Sequence, residues 1–342
     1  MGYRRQMWQK IFLIVIAAVC IITLTLPMTK RGTDFCHTNS SSSSLPISLS
    51  VTNSLFNRED EKTTIDDLSV LCLDIGMYYE TEHLIPFSPL LHAPPLNVST
   101  LRRFPYRYSL WKSGSSLSRV MTPCQHYIIM RLLMIVERIC RKNQFTFFMA
   151  FGTLIGSWRH HDVIPWDGDV DLLVSMDHRA QLLDVLNRFN NTLLQYNIYH
   201  FAQSDREYFK ICFRHAPRAG NRLWRYPFVD LFFYTTNGTH LTAKGQKTTI
   251  IPMKYIFPLM MRPFGQLWLP APRYPEHIIP RDATDVCIKS SYDYRTESFG
   301  KGHTINCSKL TDIYPFVSRD KRKSSIEVLK MEESTVHTVV YD

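Results

Sequence analysis

The chain has 342 residues, 45% of them hydrophobic, and a formal net charge of +10 at pH 7. This length accommodates one sizeable globular domain with extensions. The sequence contains no zinc finger, RNP motif or basic helix, so we expect no nucleic-acid partner. A basic surface can steer phosphate-bearing substrates, although the same charge equally serves solubility alone.

The N-terminal segment predicts a membrane anchor. An apolar run begins at Ile11, ends before Pro27 and follows three basic residues, Arg4, Arg5 and Lys10. At sixteen residues it lies at the short end for a membrane span, and the basic flank favours a cytoplasmic N-terminus. A cleaved signal peptide is the alternative, but no small-x-small cleavage site follows. We expect a cytoplasmic tail over 1–10, a signal-anchor over 11–28, and a single-pass type II protein of the Golgi or endoplasmic reticulum membrane.

The segment 29–118 has the composition of a lumenal stem, with a serine run at 40–44, several prolines and few long apolar stretches. Such a segment cannot bury much core. Five glycosylation sequons are consistent with a lumenal position; they begin at Asn39, Asn97, Asn190, Asn237 and Asn306. Seven cysteines follow the anchor, so in an oxidising lumen some should pair and at least one should stay free or join another chain. For Cys287, Cys307 and the nearby His303, a disulfide or free thiols are favoured over a zinc site.

Hydrophobic periodicity predicts a globular domain over 119–318, and the charged segment 319–342 is expected to be a flexible tail. Within the domain the apolar pattern predicts three helices, of which the last starts at an N-cap, Asp177. Strands alternate with these helices. The predicted helices are 127–140, 154–160 and 177–189, and the predicted strands are 145–150, 169–174, 196–202, 208–215 and 228–235.

Three aspartates lie within five positions at the start of one predicted strand: Asp167, Asp169 and Asp171. Residues i and i+2 of a strand point to the same face, so Asp169 and Asp171 should project side by side. Two adjacent carboxylates repel unless a cation lies between them, and oxygen ligands favour Mg²⁺ or Mn²⁺. A solvated acidic turn is the alternative, but the apolar flanks make an ordinary surface loop a poor match.

A strand, a Gly152-Thr153 turn and a short helix precede the aspartates, an arrangement in which backbone N–H groups can hold a phosphate. The stretch Gly-Thr-Leu-Ile-Gly-Ser-Trp-Arg-His, followed by Ile-Pro-Trp-Asp-Gly-Asp-Val-Asp, resembles the LicD family. That family includes bacterial phosphocholine transferases, fukutin and fukutin-related protein, and it has a polymerase-β-like nucleotidyltransferase fold. The resemblance is specific over about twenty-five residues around the motif and looser from 125 to 275. Gly168 departs from the pattern, since bacterial members often have a further Asp there.

The resemblance implies an α+β fold, a nucleotidyltransferase-like mixed sheet flanked by helices, and it assigns roles to matching residues. Asp169 and Asp171 are expected to bind metal, with Asp167 as an outer ligand. Gly152, Thr153 and Arg159 are expected to hold the donor phosphate, although a surface ion pair is the alternative for Arg159. From the residues themselves, Lys210 on its predicted strand is expected to be exposed, with a phosphate contact as the alternative. His160 and His161 are expected to face solvent, and Trp166 is expected to buttress the aspartate loop, with stacking on a base as the alternative.

Asp230 is a lone carboxylate in the apolar strand Phe-Val-Asp-Leu-Phe-Phe. Burial of an unpaired charge is costly, so a neighbouring arginine would be one explanation. The other is a third metal-binding carboxylate that faces Asp169 and Asp171 from an adjacent strand and accepts the proton of the attacking hydroxyl, as in LicD-like proteins.

We therefore predict a metal-dependent phosphotransferase. It would use a CDP-linked donor, of the phosphocholine or ribitol phosphate type, and a glycan or glycoprotein acceptor. Two alternatives remain open at this stage. One is a Golgi glycosyltransferase with an Asp-x-Asp motif, which would not explain Gly152-Thr153 or Asp230. The other is a non-catalytic, lectin-like scaffold.

Overall fold

The computed structural model describes Phe104 and residues 107–341, apart from 109–110, 113, 115, 190–193, 201–206, 244–249 and 321–322. The expected cytoplasmic tail, anchor and most of the stem lie outside these residues. No helix in the described part of the chain is long and apolar enough to cross a membrane.

Three helices carry most of the helical residues: α1 (Pro123–Lys142), α2 (Phe151–His160) and α3 (Arg179–Phe189). Helix α1 begins with a reciprocal cap, because the Thr122 side chain accepts from the Gln125 backbone and the Gln125 side chain accepts from the Thr122 backbone. Each bond satisfies an N–H that the first helical turn leaves open. Near α3 the side-chain cap is Ser175 rather than the predicted Asp177, since the Ser175 hydroxyl accepts from the Asp177 N–H at the start of a short 3₁₀ turn.

The main sheet is mixed, with strand order β1-β2-β5-β4-β3 and with β6 and β7 continuing from β5. Strands β2 and β5 are parallel, and the other pairs are antiparallel. The strands are β1 (Phe147–Met149), β2 (Val170–Ser175), β3 (Leu194–His200), β4 (Glu207–Phe213), β5 (Phe228–Thr236), β6 (His240–Ala243) and β7 (Ile250–Pro252). The α+β class and the mixed sheet are thus confirmed.

Smaller sheets surround this core. A hairpin, β8 (Met260–Phe264) and β9 (Leu267–Ala271), buries Phe264 and Leu269 in the core. The next segment contains β10 (Val286–Lys289), β11 (Tyr292–Asp293), β12 (Ser298–Phe299) and β13 (His303–Asn306), with β10 paired to β13 and β11 to β12. A disulfide joins Cys287 to Cys307, so these sulfurs form a bond instead of a zinc site. Cys140 and Cys212 are free and buried.

Both predicted limits of the folded domain differ from the structure. Tyr108, Trp111 and Leu117, assigned to the stem, are buried in the core. The expected flexible tail instead forms β14 (Phe316–Asp320), β15 (Lys323–Met331) and β16 (Ser334–Val340). Glu327 anchors this sheet, because its buried carboxylate accepts hydrogen bonds from Arg262, Arg319, His161 and Tyr341. These partners compensate a charge that would otherwise be costly to bury.

Candidate active site

Three carboxylates meet at the N-terminal ends of the parallel strands β2 and β5. Asp171 and Asp230 are direct neighbours in the parallel register, and Asp169 lies two residues before Asp171, on the same face. One carboxylate oxygen of each residue lies within 4.8 Å of the others. The structure thus brings together the three residues that the sequence analysis proposed as metal ligands.

The electrostatics of this group fit a divalent cation. Burial, followed by the charges of Asp171, Asp167 and Asp230, raises the pKa of Asp169 well above its ordinary value. Such a shift means that the ionised carboxylates are poorly compensated by the protein alone. The donors are all oxygen atoms, which are the ligands that Mg²⁺ and Mn²⁺ prefer. The residues present therefore suit a hard divalent metal.

Lys210 is part of the site, although its sequence pattern predicted an exposed residue. It was expected to face solvent, but it is buried, and its Nζ donates to both oxygens of Asp230, at 3.0 and 2.9 Å. Its Nζ lies 3.5 Å from the ring centre of Phe228. The partner expected for a structural Asp230 was an arginine. The residue that pairs with it is this lysine, which is its direct neighbour across β4 and β5.

The first turn of α2 lies against the carboxylates. A Cβ on Gly152 would come within 2.9 Å of an Asp167 oxygen and 3.9 Å of an Asp171 oxygen, so only glycine allows this close approach. The Thr153 hydroxyl accepts from the backbone N–H of Asp171 at 2.7 Å. Phe151, which opens the helix, has a φ of 44°, a conformation that costs free energy in a bulky residue. The Gly-Thr turn and the strand β2 are therefore held together as one unit.

Asp167 borders the group through a tight turn. Its Oδ1 accepts from the backbone N–H of Gly168 at 2.9 Å, and burial raises its pKa. Two tyrosines that the sequence analysis did not identify lie beside Gly168. A Cβ on Gly168 would be 3.4 Å from the Tyr226 hydroxyl and 3.3 Å from the ring of Tyr294. The sequence offered one indication that Tyr226 lies near the site: it stands four residues before Asp230, just before the strand β5.

The other end of α2 is buried, contrary to expectation for His160 and His161. Nε of Arg159 donates to Nε2 of His160 at 3.0 Å, and Nδ1 of His160 bonds the carbonyl of Pro315 at 2.7 Å. Arg159 also donates to the carbonyl of Ala283 at 2.8 Å, so it is not a surface ion pair. Burial lowers the pKa of Arg159 to about 10, while the charge of Asp167 opposes the shift. The role of Arg159 in donor binding stays a prediction.

Trp166, in the aspartate loop, contacts both β10 and α2. Its indole Nε1 donates to the carbonyl of Ile288 at 3.0 Å, and the Arg159 guanidinium lies 5.2 Å from its ring centre. The side chain is buried. The expected buttressing role of Trp166 agrees with these contacts.

Comparison with known proteins agrees with this geometry. Residues 144–274 match the family described as LicD/FKTN/FKRP, nucleotidyltransferase domain. The chain is also 31% identical over 74 residues to the lipopolysaccharide cholinephosphotransferase LicD of Haemophilus influenzae, a stretch that covers 22% of this chain and 27% of the relative. The chain therefore spans about a quarter of the length of that curated relative. Residues 144–274 thus match the nucleotidyltransferase domain of the LicD, fukutin and fukutin-related protein family, and the mixed sheet with its three carboxylates is consistent with that class of protein.

Proposed function

We propose that this protein is a LicD-type phosphotransferase. It moves a phospho-substituent, of the phosphocholine or ribitol phosphate type, from a CDP-linked donor to a hydroxyl of a glycan. The observation that carries the proposal is the group of three carboxylates on β2 and β5 beside the Gly-Thr turn, within the segment that matches the family. The name of the Haemophilus influenzae relative gives further support.

The residues of the site have distinct tasks in this reaction. The acceptor oxygen forms a bond to the phosphorus next to the donor head group, the bond from that phosphorus to the CMP oxygen breaks, and CMP leaves. Asp230 is the candidate to take the hydroxyl proton. Asp169 and Asp171, with Asp230 and Asp167 as further ligands, would hold Mg²⁺ or Mn²⁺, which when bound neutralises charge on the phosphates and the leaving group.

The N-terminal end of α2 is the proposed phosphate cradle. Backbone N–H groups at a helix N-terminus favour anions, and Gly152 leaves room for close approach. Arg159, in the last turn of α2, is proposed as a separate contact to the donor phosphate, and its guanidinium donates to the Ala283 carbonyl in the structure. Arg159→Lys tests it, since lysine keeps the charge and loses the planar fork. A raised KM for the donor supports phosphate contact, while lower stability with an unchanged KM leaves Arg159 as a packing residue.

A nucleotide screen distinguishes the proposal from its alternatives. The full chain is melted with Mn²⁺ and with CDP, CMP, UDP or GDP. Stabilisation by CDP and CMP supports the phosphotransferase. Preference for UDP or GDP favours a metal-dependent glycosyltransferase instead, and no response to any nucleotide favours a non-catalytic protein. The expected result is a melting shift for cytidine nucleotides that disappears when Mn²⁺ is chelated.

We further propose a type II topology, with the apolar run after Lys10 as a signal-anchor and the catalytic domain in the lumen of the Golgi or endoplasmic reticulum. The disulfide between Cys287 and Cys307 supports an oxidising compartment. Glycosidase treatment of the cellular protein should increase its gel mobility. Digestion of residues 119–318 by protease added to sealed microsomes, together with unoccupied sequons, would overturn this topology.

A further inference from the structure

The hydroxyl of Tyr226 is buried beside the aspartate turn without a hydrogen-bond partner. Tyr226 is 2% exposed, and its hydroxyl bonds no group in the described ranges of the chain. The oxygen lies 3.4 Å from the position that a Cβ would take on Gly168. It is thus adjacent to the backbone that joins Asp167 to Asp169.

A buried hydroxyl without a partner costs free energy, because it has lost its hydrogen bonds to water. A partner is therefore expected in the working state of the protein. The hydroxyl is enclosed, so a substrate oxygen cannot reach it without displacement of protein groups. The two carboxylates that flank Gly168 are the candidate acceptors, because a phenol is a hydrogen-bond donor at neutral pH.

Asp169 is the better placed of the two carboxylates that flank Gly168. One oxygen of Asp167 already accepts from the Gly168 N–H. Burial raises the pKa of the Tyr226 hydroxyl, the charge of Arg295 opposes the shift, and the charges of Asp169 and Asp167 add to it. Burial, followed by the charges of Asp171, Asp167 and Asp230, raises the pKa of Asp169, so the protein alone does not compensate this carboxylate when it is ionised.

We propose that Tyr226 is a positioning residue of the metal centre: its hydroxyl donates a hydrogen bond to the Asp169 carboxylate in the metal-bound state and orients it for ligation. The inference rests on the proposed function, because it requires that the three carboxylates bind a divalent cation. Hydrogen bonds to ligating carboxylates commonly raise metal affinity about 10- to 100-fold. Gly168 fits the same arrangement, since a side chain there would occupy the space of the two tyrosines.

The test is Mn²⁺ binding to the full chain by calorimetry, with Tyr226→Phe as the variant. We expect Mn²⁺ affinity to fall by about 10- to 100-fold, while the melting temperature without metal is unchanged or higher, because an unpaired buried hydroxyl has been removed. Tyr314→Phe is the matched control. The Tyr314 hydroxyl donates to the carbonyl of Leu117 at 2.7 Å and accepts from the Gly114 N–H at 3.2 Å, so its loss should lower stability and leave Mn²⁺ affinity unchanged.

Gly168→Ala provides a second variant. The added methyl group would lie 3.3 Å from the Tyr294 ring and 3.4 Å from the Tyr226 oxygen, so it narrows the space around the hydroxyl and should weaken Mn²⁺ binding. In a Tyr226→Phe background the same change should then have much less effect, so the two effects should not add. Equal Mn²⁺ affinity of Tyr226→Phe and the unmodified protein, or full additivity, overturns the inference. Absence of Mn²⁺ binding by the unmodified protein overturns the metal-dependent function as well, which separates the two failures.

Discussion

Lys210 donates to both carboxylate oxygens of Asp230, at 3.0 and 2.9 Å, inside a group of three aspartates. The positive charge of the lysine compensates part of the negative charge of the three aspartates. It lies among aromatic rings, with Phe228 at 3.5 Å and Tyr208 and Trp224 each at 5.3 Å from its Nζ. This enclosure fixes the ammonium group beside one carboxylate and leaves Asp169 and Asp171 to face each other.

We first predict that Lys210→Met destabilises the metal-free protein. Removal of one partner of a buried ion pair typically costs about 3–5 kcal/mol, and here it leaves three carboxylates without their lysine. Mn²⁺ should recover part of the loss, because it supplies the missing positive charge. Denaturant unfolding with and without Mn²⁺ measures this. The double variant with Asp230→Asn should be more stable than Lys210→Met alone; if both are equally unstable, Lys210 matters for packing and not for charge.

The second prediction concerns the three central aspartates. Asn in place of Asp169, Asp171 or Asp230 removes a charge and nearly keeps the shape. Activity should fall by several orders of magnitude in each case, and pairs of changes should cost little more than single ones, because the three act as a unit. Turnover of a CDP-linked donor measures this.

Stability provides the control for the aspartate series. Burial and repulsion raise the pKa of Asp169, so Asp169→Asn should keep or increase stability without metal. Asp167→Asn should have the mildest effect on turnover. If Asp169→Asn unfolds the metal-free protein, the carboxylates are structural. Full activity of Asp230→Asn would show that Asp230 is not a metal ligand.

The third prediction tests the close approach at Gly152. An alanine Cβ would lie 2.9 Å from the Asp167 oxygen, so the carboxylate must move. Gly152→Ala should lower Mn²⁺ affinity and turnover by about tenfold or more, while the higher helix propensity of alanine limits the loss of stability. Gly300→Ala is the control, because the nearest atom to its Cβ would be 3.8 Å away. Equal turnover for the two variants would contradict the prediction.

The fourth prediction is a loss of stability on mild acidification. Burial lowers the pKa of three histidines. The pKa of His161 is lowered, and that of His337 is lowered to about 4. The pKa of His160 is lowered well below its ordinary value, by burial and then by the charge of Arg159. A histidine whose folded-state pKa is lowered contributes stability above its ordinary pKa, near 6.5, and loses it as pH falls toward the folded value. The melting temperature should therefore drop between pH 7 and pH 5.

Several charged groups face these histidines. One of them, Glu327, determines a second pH range in which stability is lost. Burial alone would raise the pKa of Glu327, but the hydrogen bond from His161 and the charges of Arg262 and Arg319 lower it instead. Glu327 therefore loses stabilising charge only below its ordinary value of 4.5. His337→Gln should flatten the slope between pH 7 and pH 5, whereas the exposed His303→Gln should not. An unchanged slope in His337→Gln would contradict the assignment.

The sequence predicted the central sheet and the three carboxylates because both depend on local patterns. Alternation places Asp169 and Asp171 on one face, and a lone Asp230 in an apolar strand is conspicuous. The pattern could not predict the burial of Lys210, because a single strand does not reveal whether both faces of its sheet are covered. In β4 every residue is buried.

The C-terminal sheet could not be predicted for a different reason. Its charged residues indicate solvent exposure when read alone. Glu327 is buried because Arg262, 65 positions earlier, donates to both of its oxygens at 2.8 Å. Pairing over such separations leaves no periodic signal. Tyr108 was missed similarly, since its hydroxyl bonds the carbonyl of Met121 only once the chain has folded back.

The burial of Glu327 also bears on shortened versions of the chain. Loss of the residues after 322 would remove the carboxylate that compensates Arg262, which is itself 2% exposed. A buried arginine without its partner destabilises a protein by several kcal/mol, about 3–5 in comparable cases. A premature stop codon in this region, far from the carboxylates, is therefore expected to act as a folding defect that quality control degrades.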